Sequence, residues 1–217
     1  MPKEIIEPWL EEPLACLTDI EELRECTACE ERVVGRKIQN LTAEEEDFSS
    51  LCFSKVQFVN CSFFDCSFIK GEFTDVIFRS CDFSGCRFDD CYMNRVQIIS
   101  SKGIGAGFTG SSMFHVQVRD CQLEYGNFDS SKMEHIRFQD TDLEKSNFAQ
   151  CRCKDVAWEQ VKLNFYSFFK TRLQEMDFTS CQIDNITVSD DCQELKGAIV
   201  NVYQAVELAK RLGLIIK

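Results

Sequence analysis

Large apolar residues recur at every fifth position between residues 46 and 190, and the register never shifts. Fifteen of the 19 Phe residues fall on this one position, where even scatter over five positions would place about four. A second position, two residues earlier, holds mostly small or β-branched residues such as Cys61, Val76 and Ala106. The segment is therefore a fixed-period internal repeat, and this period decides the architecture before any other feature.

A period of five matches neither the 3.6-residue turn of a helix nor the two-residue alternation of a strand. It indicates a coiled chain that changes direction every five residues and sends the large and the small residue of each unit inward. If four units close one turn, successive coils stack at about the 4.8 Å spacing of neighbouring strands. The 29 units would then form an all-β rod roughly 35 Å long.

A few units depart from this pattern. Gly103 stands where a large residue is expected, and Tyr166 occupies a small position. Cys153 and Trp158 are an unusually small and an unusually large central residue. These positions predict local bulges or underpacked layers.

Composition and charge restrict the possible partners. The 217 residues carry a formal net charge of −12, and because affinity for DNA and RNA comes largely from Lys and Arg, we expect no nucleic-acid partner. A protein this acidic favours basic surfaces instead.

No apolar run is long enough for a membrane span, and the acidic N-terminus, broken by Pro8 and Pro13, does not read as a signal peptide. Fourteen Cys residues without an export signal indicate reduced thiols, so we expect a cytoplasmic protein.

The register divides the chain into three predicted parts: residues 1–45 as an N-terminal extension and cap, 46–190 as the repeat, and 191–217 as a strand–helix–strand module. A cap is expected because the terminal unit of a solenoid otherwise exposes apolar side chains and open backbone edges. In the last part, Asn201 and Gln204 form a capping-box pattern at the start of a helix. A helix of about twelve residues is marginal alone, so it must pack on something.

The repeat resembles the pentapeptide repeat family, whose unit is written A(D/N)Lxx. The closest units lie at residues 81–83, 126–128, 141–143 and 146–148, which read CDF, GNF, TDL and SNF. This resemblance implies a right-handed quadrilateral β-helix. The C-terminal part, with LKG at 195–197, YQA at 203–205 and RLGLII at 211–216, resembles the C-terminal module of Qnr-type quinolone-resistance proteins.

The Qnr resemblance implies a non-catalytic DNA mimic that binds DNA gyrase and topoisomerase IV and protects them from fluoroquinolones. In that group the C-terminal module joins two rods end to end into a homodimer. The residues that would form the dimer contact here are Tyr203, Val206, Leu208, Leu212, Leu214, Ile215 and Ile216, with Phe165 and Phe169 either beside them or in contact with a topoisomerase. Plasmid-borne members carry inserted loops that contribute to protection, whereas this loop-free chain is more similar to chromosomal members from Gram-positive bacteria.

The acidic residues are unevenly distributed over the four faces that the register assigns. Two adjacent faces have net charges of −3 and −2, and the other two have +1 and −1. The residues expected to contact a partner are Asp65, Asp82, Asp89, Asp90, Glu124, Asp129, Asp142, Glu144 and Asp184. Two interpretations remain open: a DNA-like acidic surface, or an ordinary repeat position that keeps a scaffold for some other protein soluble.

Other motifs add no chemistry. Cys26 and Cys29 form a CxxC pair, but no second pair stands at a spacing suited to zinc, so we expect no metal and no cofactor. Residues 105–110 match GxGxxG without the following helix that a dinucleotide site requires. No nucleophile is paired with a base, so we do not expect an enzyme.

Overall fold

The computed structural model describes residues 4–11, 13–211 and 214–216. Its strands and helices follow in chain order: β1 (Ala15–Leu17), α1 (Ile20–Ala28), β2 (Val33–Val34), β3 (Arg36–Gln39), β4 (Thr42–Glu44), β5 (Cys52–Val59), β6 (Ser62–Phe64), β7 (Glu72–Arg79), β8 (Tyr92–Ile99), β9 (Ser112–Arg119), β10 (Lys132–Gln139), β11 (Arg152–Glu159), β12 (Lys162–Asn164), β13 (Gln182–Asp184), a 3-10 helix (Gln193–Leu195) and α2 (Val202–Arg211). The predicted all-β solenoid is confirmed, with two short α-helices added.

One long parallel sheet runs along the rod as far as β11, in the order β1-β3-β5-β7-β8-β9-β10-β11, with β2 also paired to β5. Between β5 and β7, Phe53 lies opposite Phe73 and Val56 opposite Val76, so partners are 20 residues apart. Four five-residue units therefore close one turn, and the coil makes about eight turns. The pairs β4-β6 and β12-β13 form two short sheets elsewhere on the rod.

The coil bends at corners with left-handed backbone. Every fifth residue from Glu30 to Glu175 has a positive φ between 48° and 71°. Only four of these corners are Gly, and the left-handed conformation costs other residues roughly 1–2 kcal/mol each. Inward packing and inter-coil hydrogen bonds must offset that cost. Because the first of these corners is Glu30, the coil geometry begins ahead of residue 46.

Stacked aromatic rings fill the centre of the rod. Phe58 lies 4.6 Å from Phe78 with an interplanar angle of 5°, and Phe128 lies 4.6 Å from Phe148 at 3°. The small position beside each ring column is buried as well, and the Cys91 thiol there donates to the carbonyl oxygen of Phe68 at 2.9 Å. Cys thus serves as a compact apolar residue whose weak donor satisfies a backbone acceptor.

The four sides of the rod are called faces A, B, C and D. They are centred on Phe53, Phe58, Phe63 and Phe68, respectively, and on every twentieth residue after them. The eight-residue strands of the long sheet span faces A and B, whereas faces C and D carry short strands and isolated bridges. The predicted acidic residues all lie on faces C and D.

The predicted underpacking at Gly103 is wrong. A Cβ atom there would stand 2.1 Å from Phe83 Cε2 and 2.9 Å from Leu123 Cδ2, because these two neighbouring side chains occupy the space of the missing one. Tyr166, at its small position, is fully buried and packs edge-on against Phe168 at 5.3 Å.

The two ends of the rod differ from the sequence expectation in detail. At the N-terminal end, α1 is capped by Asp19, whose carboxylate accepts the Glu21 N–H, and the helix buries Leu23 in the core. At the C-terminal end α2 forms as predicted, but the strands predicted on either side of it do not form. The first is a 3-10 turn followed by a single bridge from Ile199 to Asp177, and residues 214–216 form no strand.

Candidate partner-binding surfaces

Four of the predicted acidic residues are held in ion pairs on the rod itself. The pairs are Asp82 with Lys102 at 3.7 Å, Asp89 with Arg87 at 2.9 Å, Asp142 with Lys162 at 3.1 Å and Glu144 with Lys145 at 3.8 Å. These pairs are at least partly exposed, so each contributes little to stability. They nevertheless neutralise much of the charge that faces C and D would offer to a partner.

Some of the same carboxylates also shape the backbone. Asp82 Oδ1 accepts the N–H of Ser84 at 3.0 Å, and Asp142 Oδ1 accepts the N–H of Glu144 at 3.1 Å. Asp47 makes the same contact with Ser49, and the side-chain and backbone hydrogen bonds from Ser49 lower the Asp47 pKa. A short side chain that accepts the N–H of the residue two positions later stabilises a turn, so Asp at this position has a structural role.

The other five predicted residues keep an unpaired charge. Among the described residues, no Lys, Arg or His forms an ion pair with Asp65, Asp90, Glu124, Asp129 or Asp184. A Cβ on Gly85 would stand 2.0 Å from Asp65 Oδ1, and one on Gly110 would stand 2.5 Å from Asp90 Oδ1. Gly85 and Gly110, each one coil later, thus leave room for the carboxylates of Asp65 and Asp90, respectively. Sequence reasoning missed this relation.

The N-terminal segment, residues 4–11, lies along the corner between faces A and B. The Trp9 N–H donates to Asp75 at 3.0 Å, and buried Asp75 also holds the Arg95 guanidinium at 2.6 and 2.7 Å. Further along the rod, the Ile6 N–H donates to His115 Nδ1 at 3.3 Å. Since the A–B corner is diagonally opposite the C–D corner in a four-sided coil, this segment leaves the acidic faces uncovered.

His115 is held as a neutral acceptor at this contact. Its ring stacks on His135, with centroids 4.7 Å apart. Burial, followed by the neighbouring charges of His135 and Arg95, lowers the pKa of His115 despite an opposing effect of Glu134. The imidazole therefore stays unprotonated near neutral pH and can accept the Ile6 N–H.

Helix α2 is anchored to the end of the rod by Gln204. Its Nε2 donates to the carbonyl oxygens of Phe178 and Cys181, both at 2.8 Å. Its Oε1 accepts the Asn201 N–H at 2.9 Å, while the Gln204 N–H donates to Asn201 Oδ1 at 3.0 Å. The predicted capping box is confirmed, and the same residue also docks the helix.

The predicted dimer residues fall into two groups. Leu208 packs on the core of its own rod, and Val206 is half-buried. Leu212 lies outside the described residues. The exposed members are Tyr203 at 86%, Leu214 at 57%, Ile215 at 89%, Ile216 at 47%, Phe165 at 60% and Phe169 at 38%.

Two further findings concern metals and membranes. No cluster of three or more His, Cys, Asp or Glu side chains suited to a metal ion occurs within residues 4–11, 13–211 and 214–216. Nor is any helix in these ranges long and apolar enough to cross a membrane.

Parallel coils, four faces and a period-five core define a quadrilateral β-helix. A family model described as the pentapeptide repeat region matches residues 71–148, which lie within the predicted pentapeptide repeat. A search of curated protein sequences found no match.

Among the similar solved structures, one with a TM-score above 0.5 shares the fold. A trypsin-treated variant of QnrB1, described as a plasmid-mediated fluoroquinolone resistance protein, is 23% identical with a TM-score of 0.53, covering 94% of this chain and 98% of that one. Full-length QnrB1 is 22% identical with a TM-score of 0.46, covering 84% and 97%. HetL, a pentapeptide repeat protein from the cyanobacterium Nostoc described as involved in heterocyst differentiation regulation, is 12% identical with a TM-score of 0.33, covering 84% and 92%.

Proposed function

We propose that this chain is a non-catalytic cytoplasmic protein that binds the type II topoisomerases DNA gyrase and topoisomerase IV through faces C and D. The observation that carries the proposal is the set of five unpaired carboxylates on two adjacent faces that the N-terminal segment leaves open. The Qnr-like sequence of the C-terminal part supports the choice of partner.

The magnitude of the charge limits how closely the rod imitates DNA. Faces C and D have net charges of only −3 and −2 over about eight coils. B-DNA carries one charge per about 1.7 Å, or roughly 20 over the same length at about 4.8 Å per coil. Binding therefore depends on the placement of a few carboxylates against basic side chains and on rod shape, rather than on overall charge density.

A second rod would lengthen this surface. The exposed apolar residues of α2 and of 214–216 lie at the C-terminal end, where a second copy could cover them, and a free strand edge on that copy would give residues 214–216 a partner. We propose this end as the homodimer contact. A chain ending at Val200, which keeps the 194–199 segment bonded to 173–178, should sediment as a monomer.

The test of topoisomerase binding is gyrase supercoiling with and without ciprofloxacin. Asp90→Lys with Asp129→Lys should abolish inhibition of supercoiling or relief of the drug, and Lys already occupies the corners 70 and 170 that are equivalent to Asp90. Glu72→Lys, an exposed reversal on face A, is the matched control and should leave the effect unchanged. No effect of the wild-type protein at micromolar concentration would contradict the proposal.

A second candidate function is a scaffold for another protein. The observation in its favour is that four of the nine acidic residues are consumed in ion pairs on the rod, as expected if Asp serves mainly the repeat. Salt separates the two candidates, because screening should weaken binding to gyrase through exposed carboxylates as ionic strength rises. Gyrase binding that is independent of salt would argue against faces C and D as the contact.

A further inference from the structure

The long sheet opens near the C-terminal end of the rod. In one series of inter-coil hydrogen bonds, the N–H of Asn60 donates to the Arg79 carbonyl, and the equivalents at 80, 100, 120 and 140 do the same one coil further on. The next member breaks the series, because the Gln160 N–H donates to Ser180 Oγ at 3.2 Å instead of a carbonyl. In a second series, Arg152 N–H donates to the Ser131 carbonyl at 2.9 Å, and no bond from Arg172 to Cys151 follows within the described part of the chain.

The segment 171–179 is separated from β11 but remains paired with the chain that follows it. Leu173, Glu175 and Phe178 donate their N–H groups to the carbonyls of 194, 197 and 199 at 2.9 to 3.0 Å. Faces C and D remain stacked at the same level, where Phe168 donates to the Thr187 carbonyl at 2.9 Å. The opening is therefore confined to faces A and B, and we call it the β11 cleft.

The β11 cleft exposes a free strand edge. Elsewhere in the coil, residue n donates to the carbonyl of residue n + 19, as Gly103 does to Gln122. By this rule the N–H groups of Cys153, Asp155 and Trp158 point into the cleft, and none has a backbone partner among the described residues. Trp158 Nε1, which is buried, also lacks an acceptor there. An edge of this kind accepts an additional strand.

The two halves of the cleft carry opposite charge. The first half, about 500 Å³, has an apolar floor that includes Met133 and Cys153, and its cationic rim consists of Lys132, Arg152, Lys154, Lys170 and Arg172 with one carboxylate, Glu134. The second half, about 880 Å³, is lined by the carboxylates of Asp155, Glu159, Glu175 and Asp177, with Lys154 and Arg172 as its cations.

Much of the positive charge is unneutralised. Glu134 pairs with Lys154 and with Lys132, whereas no carboxylate within the described ranges pairs with Arg152, Lys170 or Arg172. In a chain of net charge −12, this is a local exception.

We propose that the β11 cleft binds an extended peptide of a partner protein, which adds a strand parallel to β11 and is acidic in its N-terminal half and basic in its C-terminal half. The parallel direction follows from the pairing of every other strand in the sheet. The charge order follows because β11 runs from the cationic half of the cleft to the anionic half. A nucleic acid fits poorly, since the second half would repel its phosphates.

The probe is a fluorescein-labelled eight-residue peptide that alternates valine with charged residues, glutamate in the first half and lysine in the second. An eight-residue strand spans about 27 Å, enough to follow the whole of β11. One control peptide exchanges the two halves, and a second carries N-methyl groups on the amides that would bond to β11. Fluorescence anisotropy of the full-length protein should detect the first peptide and neither control.

Matched variants place the contact. Arg172→Glu, an exposed change without an ion pair to lose, should weaken probe binding about tenfold or more, and the equivalent reversal Lys70→Glu on a distant corner should not. A single-stranded DNA oligonucleotide should not displace the probe. Equal binding of either control peptide, an unaffected Arg172→Glu variant, or displacement by DNA would overturn the proposal.

Amide hydrogen exchange supplies an independent readout. The amides of Cys153, Asp155 and Trp158 should exchange quickly in the free protein and slow when the probe binds. If they are already protected without the probe, residues 171–179 close over β11 in solution and the cleft does not exist.

Discussion

Replacing Gln204 with alanine tests how the C-terminal helix is held on the rod. The change removes the three hydrogen bonds of a buried side chain, two donated to the Phe178 and Cys181 carbonyls and one accepted from the Asn201 N–H. Three backbone groups at the junction then lose their partner. Because each lost bond costs about 1 kcal/mol or more when its partner stays buried, the docked state of α2 should lose about 3 kcal/mol.

This loss is large for a helix of ten residues. Such a helix is marginal on its own, so undocking and unfolding of α2 should occur together. A change of about 3 kcal/mol shifts the docking equilibrium by about two orders of magnitude. The coils themselves share none of these side-chain bonds beyond the last turn, so the global unfolding transition of the rod should move little.

Amide hydrogen exchange measured residue by residue is the assay. In the Gln204→Ala variant, the amides of α2 should exchange about 100-fold faster, while those of β7 to β10 keep their protection. Glu207→Ala is the control, since it removes only an exposed ion pair with Lys210 on the same helix. Equal protection of α2 in both variants would show that apolar packing through residues such as Leu208 holds the helix and that the hydrogen bonds add nothing.

Two further changes probe the core and the N-terminal segment. Gly103→Ala should lower the free energy of unfolding by about 1–3 kcal/mol, because the new Cβ would meet Phe83. Gly105→Ala, where the space is open but φ is +70°, should lower it by less. Equal losses for the two variants in denaturant titrations would contradict this expectation. Protonation of His115 removes the lone pair that accepts the Ile6 N–H, so docking of residues 4–11 should hold at neutral pH and be lost as pH falls through the lowered pKa of His115. The Ile6 amide, corrected for intrinsic exchange, should therefore lose protection in acid, and His115→Gln should abolish this pH dependence.

The packing of the inward-facing residues could be predicted from the sequence because the same packing constraint recurs in every turn. On face D each register Phe from 48 to 148 contacts the Phe 20 residues later, as Phe68 does with Phe88 at 5.0 Å, so one mistake in phase would be visible in every turn. The capping box at Asn201 and Gln204 could also be predicted, because both of its hydrogen bonds join residues three positions apart. The sequence could not show how neighbouring side chains fill the space of a missing one. At Gly103 that space is filled by Phe83, which lies one coil away.

The outward half was predictable only in part. Sequence placed the acidic residues on faces C and D, but it could not show that Asp142 pairs with Lys162 while Asp129 keeps an unpaired charge. That distinction depends on the cation one coil later. The β11 cleft was signalled only by the unusual central residues Cys153 and Trp158, because the chain that pairs with 171–179 is irregular and follows no period from which its position could be predicted.

The two proposed surfaces can act independently because the coil separates them. Faces C and D stay stacked beside the β11 cleft, so a strand added on faces A and B need not disturb the carboxylates of Asp129 or Asp184. The cleft lies close to α2, however, since 171–179 is bonded to the segment that leads into the helix. A peptide that drew 171–179 back towards β11 would pull on Ile199 and hence on the Gln204 anchor. Occupying the cleft should therefore change exchange in α2 before it changes exchange on faces C and D.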